Sequence, residues 1–195
     1  MRLPREIEIK LKVENPRSAM RRLRDCGFKV VVPRHFERNV VFDFQNSTLL
    51  RRHLLLRLRT ERGRHTLTFK APPHDSKSYK IRPEIESEVE DKEAIERIFQ
   101  ALGLRPVFRY EKYRTTYAEV GWPKRGKKPL VVYDETPIGR FLELEGPTDW
   151  IDRTAARLGY RKSDYITASY GALYVNYCRE KGIRVGDMVF RRNKS

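Results

Sequence analysis

The feature that most restricts the fold of this chain is a period-two alternation of charged and apolar residues, repeated in one segment after another. Successive side chains of a β-strand point to opposite faces, so each such segment has one apolar and one charged face. In EIEIKLK, residues 6–12, Glu6, Glu8 and Lys10 share a face and Ile7, Ile9 and Leu11 oppose them. LLLRLRT sets Arg57 and Arg59 against Leu56 and Leu58, and TLTFK sets Lys70, Thr66 and Thr68 against Leu67 and Phe69. KIRPEIESEVE aligns Arg82, Glu84, Glu86 and Glu88 against Ile81, Ile85 and Val89. Pro83 falls on its apolar side, and a residue without an N–H predicts an edge strand or a bulge there. YEKYRTTY aligns Lys112 with Arg114, and FLELEG aligns Glu143 and Glu145 against Leu142 and Leu144.

The same periodicity predicts strands over 5–13, 28–32, 37–44, 54–61, 64–70, 78–90, 107–119, 129–135 and 139–145. Helices are predicted from Asn15 to Gly27, Asp91 to Gly103, Thr148 or Asp149 to Gly159, and Ser169 to Gly182, each from a capping residue to a glycine stop. The class is α+β, mostly β, with an antiparallel sheet. If the charged faces look outward, the apolar faces pack on each other as a sandwich. If they look inward, the sheet closes into a barrel with helices packed on its apolar outside. Alternation alone leaves both open. Charges inside a barrel must be paired, hydrated or bound to a ligand or metal.

The charge balance narrows the partners. Lys and Arg number 42 against 26 Asp and Glu, a formal +16, which favours a polyanion: nucleic acid, an anionic surface or a small phosphorylated ligand. Same-face neighbours on a strand are about 6.6 Å apart, close enough for Glu6 and Glu8, or Glu143 and Glu145, to converge on one cation. With Asp134 these pairs can hold one or two Mg²⁺ ions, and Lys and Arg on the same faces suit phosphate oxygens. Carboxylates beside the bases repel nucleic acid, so a nucleic-acid partner is not expected. A non-catalytic polyphosphate or nucleic-acid binding module remains the reading of another class, marked by salt-sensitive and Mg²⁺-indifferent binding.

Cys26 and Cys178 lie far apart with no metal-ligand spacing, which argues against a zinc site or disulfide framework. His35, His53, His65 and His74 lack ligand spacing too and are expected at the surface or in hydrogen bonds. Charges interrupt every apolar run short of a membrane span, so the expectation is a soluble cytoplasmic protein with no membrane partner. The 195 residues predict one domain over 1–195, with a short basic tail at about 190–195. Trp122 and Trp150 are expected to pack. The 123–128 loop, PKRGKK, and the Arg51–His53 run are read as solvated charge, and Tyr170, Tyr174 and Tyr177 as a core-facing helical stripe.

At EIEIKLK the sequence resembles the ExExK signature of the CYTH superfamily, the triphosphate tunnel metalloenzymes. The resemblance continues in order through ERNVVFD (37–43), LLRLR (55–59), TFK (68–70), RPEIE (82–86), YEKYR (110–114), YDETPIGRFLELEG (133–146) and SY (169–170). It implies a closed eight-stranded antiparallel β-barrel, a tunnel with helices on the outside, that processes a triphosphate-containing small molecule with Mg²⁺ or Mn²⁺. By resemblance, Glu6, Glu8, Asp134, Glu143 and Glu145 supply the metal sites. Lys10, Arg57, Arg59, Lys70, Lys112 and Arg114 grip the phosphates, and Glu6, Glu8 and Lys10 form the catalytic group. Arg82 and Glu84 match a family block, although an inward ion pair explains them equally well. A carboxy-terminal helix at one tunnel mouth is also implied. The expected reaction is hydrolysis of inorganic tripolyphosphate or a nucleoside or thiamine triphosphate. The alternative is a class IV adenylate cyclase releasing cyclic AMP and pyrophosphate from ATP.

Overall fold

The computed structural model describes residues 4–74, 76–121 and 128–191, and within them the charged faces turn inward. The strands are β1 (Arg5–Lys12), β2 (Phe28–Phe44), β3 (Leu55–Glu61), β4 (Arg64–Lys70), β5 (Lys80–Val89), β6 (Leu104–Glu119), β7 (Leu130–Thr136) and β8 (Gly139–Glu145). They close antiparallel in the order β1-β5-β4-β3-β2-β6-β7-β8 and back to β1. The helices are α1 (Pro16–Asp25), α2 (Thr48–Arg51), α3 (Lys92–Ala101), α4 (Thr148–Arg157) and α5 (Tyr170–Lys181).

The apolar exterior selects the barrel over the sandwich. Ile9, Leu11, Val131, Leu142 and Leu144 are fully buried beneath Ala19 and Leu23 of α1 and Trp150, Ile151 and Ala155 of α4. Each such side chain contributes about 1.5–3 kcal/mol when removed from water. A second cluster sets Phe99 of α3 edge-on to Phe42, 5.0 Å between ring centroids, beside Leu58 and Leu104. With the helices claiming the apolar face, the opposite face has only the bore to look into.

Caps behave as the sequence predicts at three helices: Asn15 accepts from the Ser18 N–H (3.1 Å), Asp91 from Ala94 (2.7 Å) and Ser169 from Ala172 (3.2 Å). At α4, Thr148 is instead the first helical residue, following Pro147, and Asp149 binds Arg153 at 2.8 Å.

Other differences have local causes. The predicted strands 28–32 and 37–44 are one strand, β2, whose register shifts between Val30 and Val32 and again before His35; the irregularity, with Pro33 inside it, erases the alternation. Pro83 marks neither an edge nor a bulge, because the closed sheet has no free edge there. It sits where β5 passes from pairing with β4, ending at Glu84, to pairing with β1, beginning at Pro83, so its missing N–H leaves no gap in a ladder. The short α2 carries no amphipathic signal and is held by Asp43, whose carboxylate accepts the Leu49 and Leu50 N–H groups at 2.8 and 2.9 Å.

Of the expected tail, Phe190 docks on β6, its N–H bound to Glu111 (3.2 Å) and its ring 5.3 Å from Tyr113; residues 192–195 lie outside the described residues, as do Trp122 and 123–127 of the basic loop. Among the described residues no helix is long and apolar enough to cross a membrane.

Candidate functional site: a charged bore

A cavity of about 1110 Å³ occupies the barrel interior. Glu6, Glu8, Lys10, Arg57, Arg59, Lys70, Lys112, Arg114, Glu143 and Glu145 all line it, and Asp134 lies in its wall bonded to two of them. Strand register produces this convergence from distant sequence: Glu8 is the cross-strand partner of both Glu145 and Lys80, and Lys10 is that of Glu143.

The acids divide into two groups. Asp134, 0% exposed, accepts from Lys112 (3.0 Å), from two nitrogens of Arg114 (2.8 and 2.7 Å) and from the Tyr170 hydroxyl (2.8 Å). Glu143 takes Lys10 at 3.2 Å and Arg114. Burial opposes ionisation at Asp134, but Arg114 and Lys112 outweigh it and hold its carboxyl below the ordinary range. Asp134 and Glu143 are thus paired with cations of the protein.

Glu6, Glu8 and Glu145 form the other group, with a carboxylate oxygen from each lying within 4.8 Å of the others. Glu8 is bonded by Lys80 (2.6 Å) and Lys10 (3.1 Å), and Glu6 by Lys70. Glu145 makes no ion pair among the described residues, and burial followed by repulsion from Glu6 pushes its carboxyl up to about 7. A divalent cation with oxygen ligands fits this shortage of positive charge. His35, Glu37 and Glu61 also cluster within 4.8 Å. There Lys112, Arg114 and Arg59 already stand 3.5–3.7 Å from the carboxylates, so the cations are built in.

On the basic side, Arg57 donates to Tyr110 (3.0 Å) and Thr68 (3.1 Å), and Arg59 reaches Glu86 at 3.4 Å. The buried Nε of each arginine has no hydrogen-bond partner among the described residues. Unpaired buried donors are costly and suit an anionic ligand. Burial would lower Lys10, but Glu8 and Glu143 raise it above the ordinary lysine range, so it stays a cation. Arg82 does not face a carboxylate as expected: it straps the barrel, donating to the carbonyls of Ala71 (2.7 Å), His53 (2.7 Å) and Lys70 (3.2 Å), while Glu84 binds Lys70 at 3.2 Å.

Sequence reading passed over several of these residues. Glu37 is fully buried and bound to Asn39 and Lys112, but Arg38 and the bulges of β2 hide its alternation. Lys80 shares the face of Arg82 and was legible in the pattern. Tyr170 packs in the core with Phe141, Met188 and Tyr174 as the stripe predicts, and its hydroxyl also reaches Asp134 in the bore, with Lys10 and Lys112 each 5.2 Å from its ring centroid. Among the described residues, ten acids line the bore or bond within it (Glu6, Glu8, Glu37, Asp43, Glu84, Glu86, Asp134, Glu143, Glu145, Asp187) against eight bases (Lys10, Arg57, Arg59, Lys70, Lys80, Arg82, Lys112, Arg114). The formal excess of +16 is therefore not concentrated in the bore.

The CYTH domain family model matches residues 4–163. A Methanocaldococcus jannaschii protein named "putative adenylate cyclase" is 33% identical over 140 residues, covering 72% of this chain and 75% of that one. The chain belongs to the CYTH domain family. A Pyrococcus horikoshii structure covers 88% of this CYTH chain and 99% of its own at 22% identity, with a TM-score of 0.72. A Hippeastrum structure, described as a putative adenylyl cyclase that "reveals a dominant triphosphatase activity", covers 92% and 97% at 17% identity, with a TM-score of 0.63. These likenesses carry the fold. The CYTH match ends before α5, yet α5 supplies Tyr170 to the bore.

Proposed function

We propose that this CYTH domain hydrolyses a linear triphosphate, with Mg²⁺ or Mn²⁺ held by Glu6, Glu8 and Glu145. One observation carries the reading. The Glu145 carboxylate makes no ion pair among the described residues, and the buried Nε of Arg57 has no acceptor there. A metal-bound phosphate chain satisfies both. Glu143 and Asp134, assigned to metal by resemblance, serve here to position Lys10, Lys112 and Arg114.

Bound metal neutralises phosphate charge and acidifies a coordinated water. Arg57, Arg59, Lys70, Lys112 and Arg114 spread positive charge along the phosphate oxygens, where phosphoryl transfer develops negative charge. Lys10, kept protonated, acts as a cation and not as a base. In hydrolysis a water oxygen bonds to the terminal phosphorus as its bridging P–O bond breaks, the water proton passes to solvent, and the leaving oxygen departs on the shortened chain.

The M. jannaschii relative's name supports a second reading, cyclisation of ATP. Incubation with tripolyphosphate, ATP or thiamine triphosphate plus Mg²⁺ or Mn²⁺, followed by phosphorus NMR, separates the two. Orthophosphate marks hydrolysis, cyclic AMP with pyrophosphate marks the cyclase, and no turnover of any substrate defeats both.

The external charge supports a kinetic prediction. A field from +16 steers a polyanionic substrate toward the barrel, so kcat/KM is expected to fall about tenfold between low and physiological ionic strength while kcat holds. Stopped-flow or initial-rate series in KCl check this, and a flat kcat/KM would show that the outer charge has no part in capture.

A further inference from the structure

Glu8 is held in a way that its neighbours Glu6 and Glu145 are not. One of its oxygens, Oε1, takes two ammonium groups, Lys80 at 2.6 Å and Lys10 at 3.1 Å. The two lysines are unequally tied. Lys10 also pairs with Glu143 at 3.2 Å, whereas Lys80 has Glu8 alone as an ion-pair partner among the described residues. Lys70, the cation on Glu6, likewise holds a second carboxylate, that of Glu84 at 3.2 Å.

The backbone that carries Lys80 is pinned from outside the barrel. Lys80 opens β5 directly opposite Glu8, and the preceding residue, Tyr79, donates its hydroxyl to Asp152 of α4 at 2.7 Å. Asp152 also accepts the Tyr165 hydroxyl at 3.0 Å and bonds Lys162 at 2.8 Å. The residue after Tyr165, Ile166, exchanges backbone hydrogen bonds of 2.8 and 2.9 Å with Lys10, continuing the edge of β1 where β5 stops. Both strands at this seam are therefore fixed. What can move is the Lys80 side chain, an ammonium on a flexible four-carbon stem.

Charge decides when it moves. Glu145 lacks one positive charge, and a divalent ion brings two, so occupancy leaves the three acids with a cation to spare. Like charges crowded into a partly screened interior repel strongly, and the singly tied lysine is the one released at least cost. Resting on the metal-dependent reading of the bore, we propose that Lys80 is a built-in competitor of the metal. Without metal its ammonium neutralises Glu8 and holds the acids together. Metal entry turns it off Glu8 into the cavity it lines, so Lys80 weakens metal affinity while stabilising the metal-free protein.

Calorimetric titration of the full chain with Mn²⁺ alone tests this through affinity and not through turnover. Lys80→Met keeps an unbranched stem and removes the charge. Its Kd for Mn²⁺ is expected to tighten about tenfold, the size of an ordinary coupling between two ligands. Its melting temperature without metal should fall, and the rise on adding Mn²⁺ should exceed the parent's. Lys80→Arg, which keeps the charge, should bind like the parent, and adding Glu145→Gln to Lys80→Met should abolish the gain. An unchanged or weaker Kd in Lys80→Met, equal tightening in Lys80→Arg, or a gain that survives Glu145→Gln overturns the proposal and leaves metal-dependent hydrolysis standing. A crystal structure of the parent grown with Mn²⁺ needs no variant to fold: the Lys80 Nζ is expected off Glu8, and its remaining bonded there beside a bound ion overturns the proposal too. A parent that binds no Mn²⁺ defeats this proposal and the metal reading together.

Discussion

Asp134→Ala is expected to destabilise the protein by about 3–5 kcal/mol, because it removes the shared acceptor of a buried network and leaves charge without a partner. Lys112 would keep only Glu37 at 3.5 Å, and Arg114 would keep Glu143 and Glu37. Tyr170 would lose the acceptor that draws the start of α5 into the bore. For a chain of this length the loss corresponds to roughly 10 °C in melting temperature. Urea denaturation and calorimetry would measure it. The control is Glu88→Ala at the exposed end of β5, where the bridge to Arg64 is solvent-screened and little change is expected. If Asp134→Ala melted with the parent, the network would not be holding the barrel together.

Glu145→Gln is expected to do the opposite, separating function from stability. Glu145 makes no ion pair among the described residues and is repelled by Glu6 and Glu8, so removing its charge leaves no cation stranded and relieves crowding. The melting temperature without metal should hold or rise. The rise produced by Mn²⁺ in the parent should shrink or vanish, since a ligand that binds the native state stabilises it by mass action. Triphosphate turnover should fall on the order of 10²-fold, partly recovered at high metal concentration. Full turnover with an unaltered Mn²⁺ response would take Glu145 out of the metal set.

The contrast between two acids only a few residues from inward cations shows where sequence reading stops. Asp134 and Glu145 both arrive on predicted strands, and both match the same family block. Nothing in their local patterns says that one will be saturated by Lys112, Arg114 and Tyr170 and the other left bare. That depends on which strands become neighbours and in what register: β7 places Asp134 opposite Arg114, whereas β8 places Glu145 opposite Glu8. Lys80 and Glu37 join the network from strands whose patterns were partly legible or blurred by bulges.

By itself the sequence determined most of the strands and the main helices, and that β1, β3, β4, β5, β6 and β8 each have one charged and one apolar face, because alternation and capping are local consequences of backbone geometry. Only the tertiary structure decided that the charged faces share an interior. Helices that could bury Ile9, Leu11, Leu142 and Leu144 on the outside left the ionic side chains nowhere else to go. Pairing among them then fixed which charges remain for a ligand.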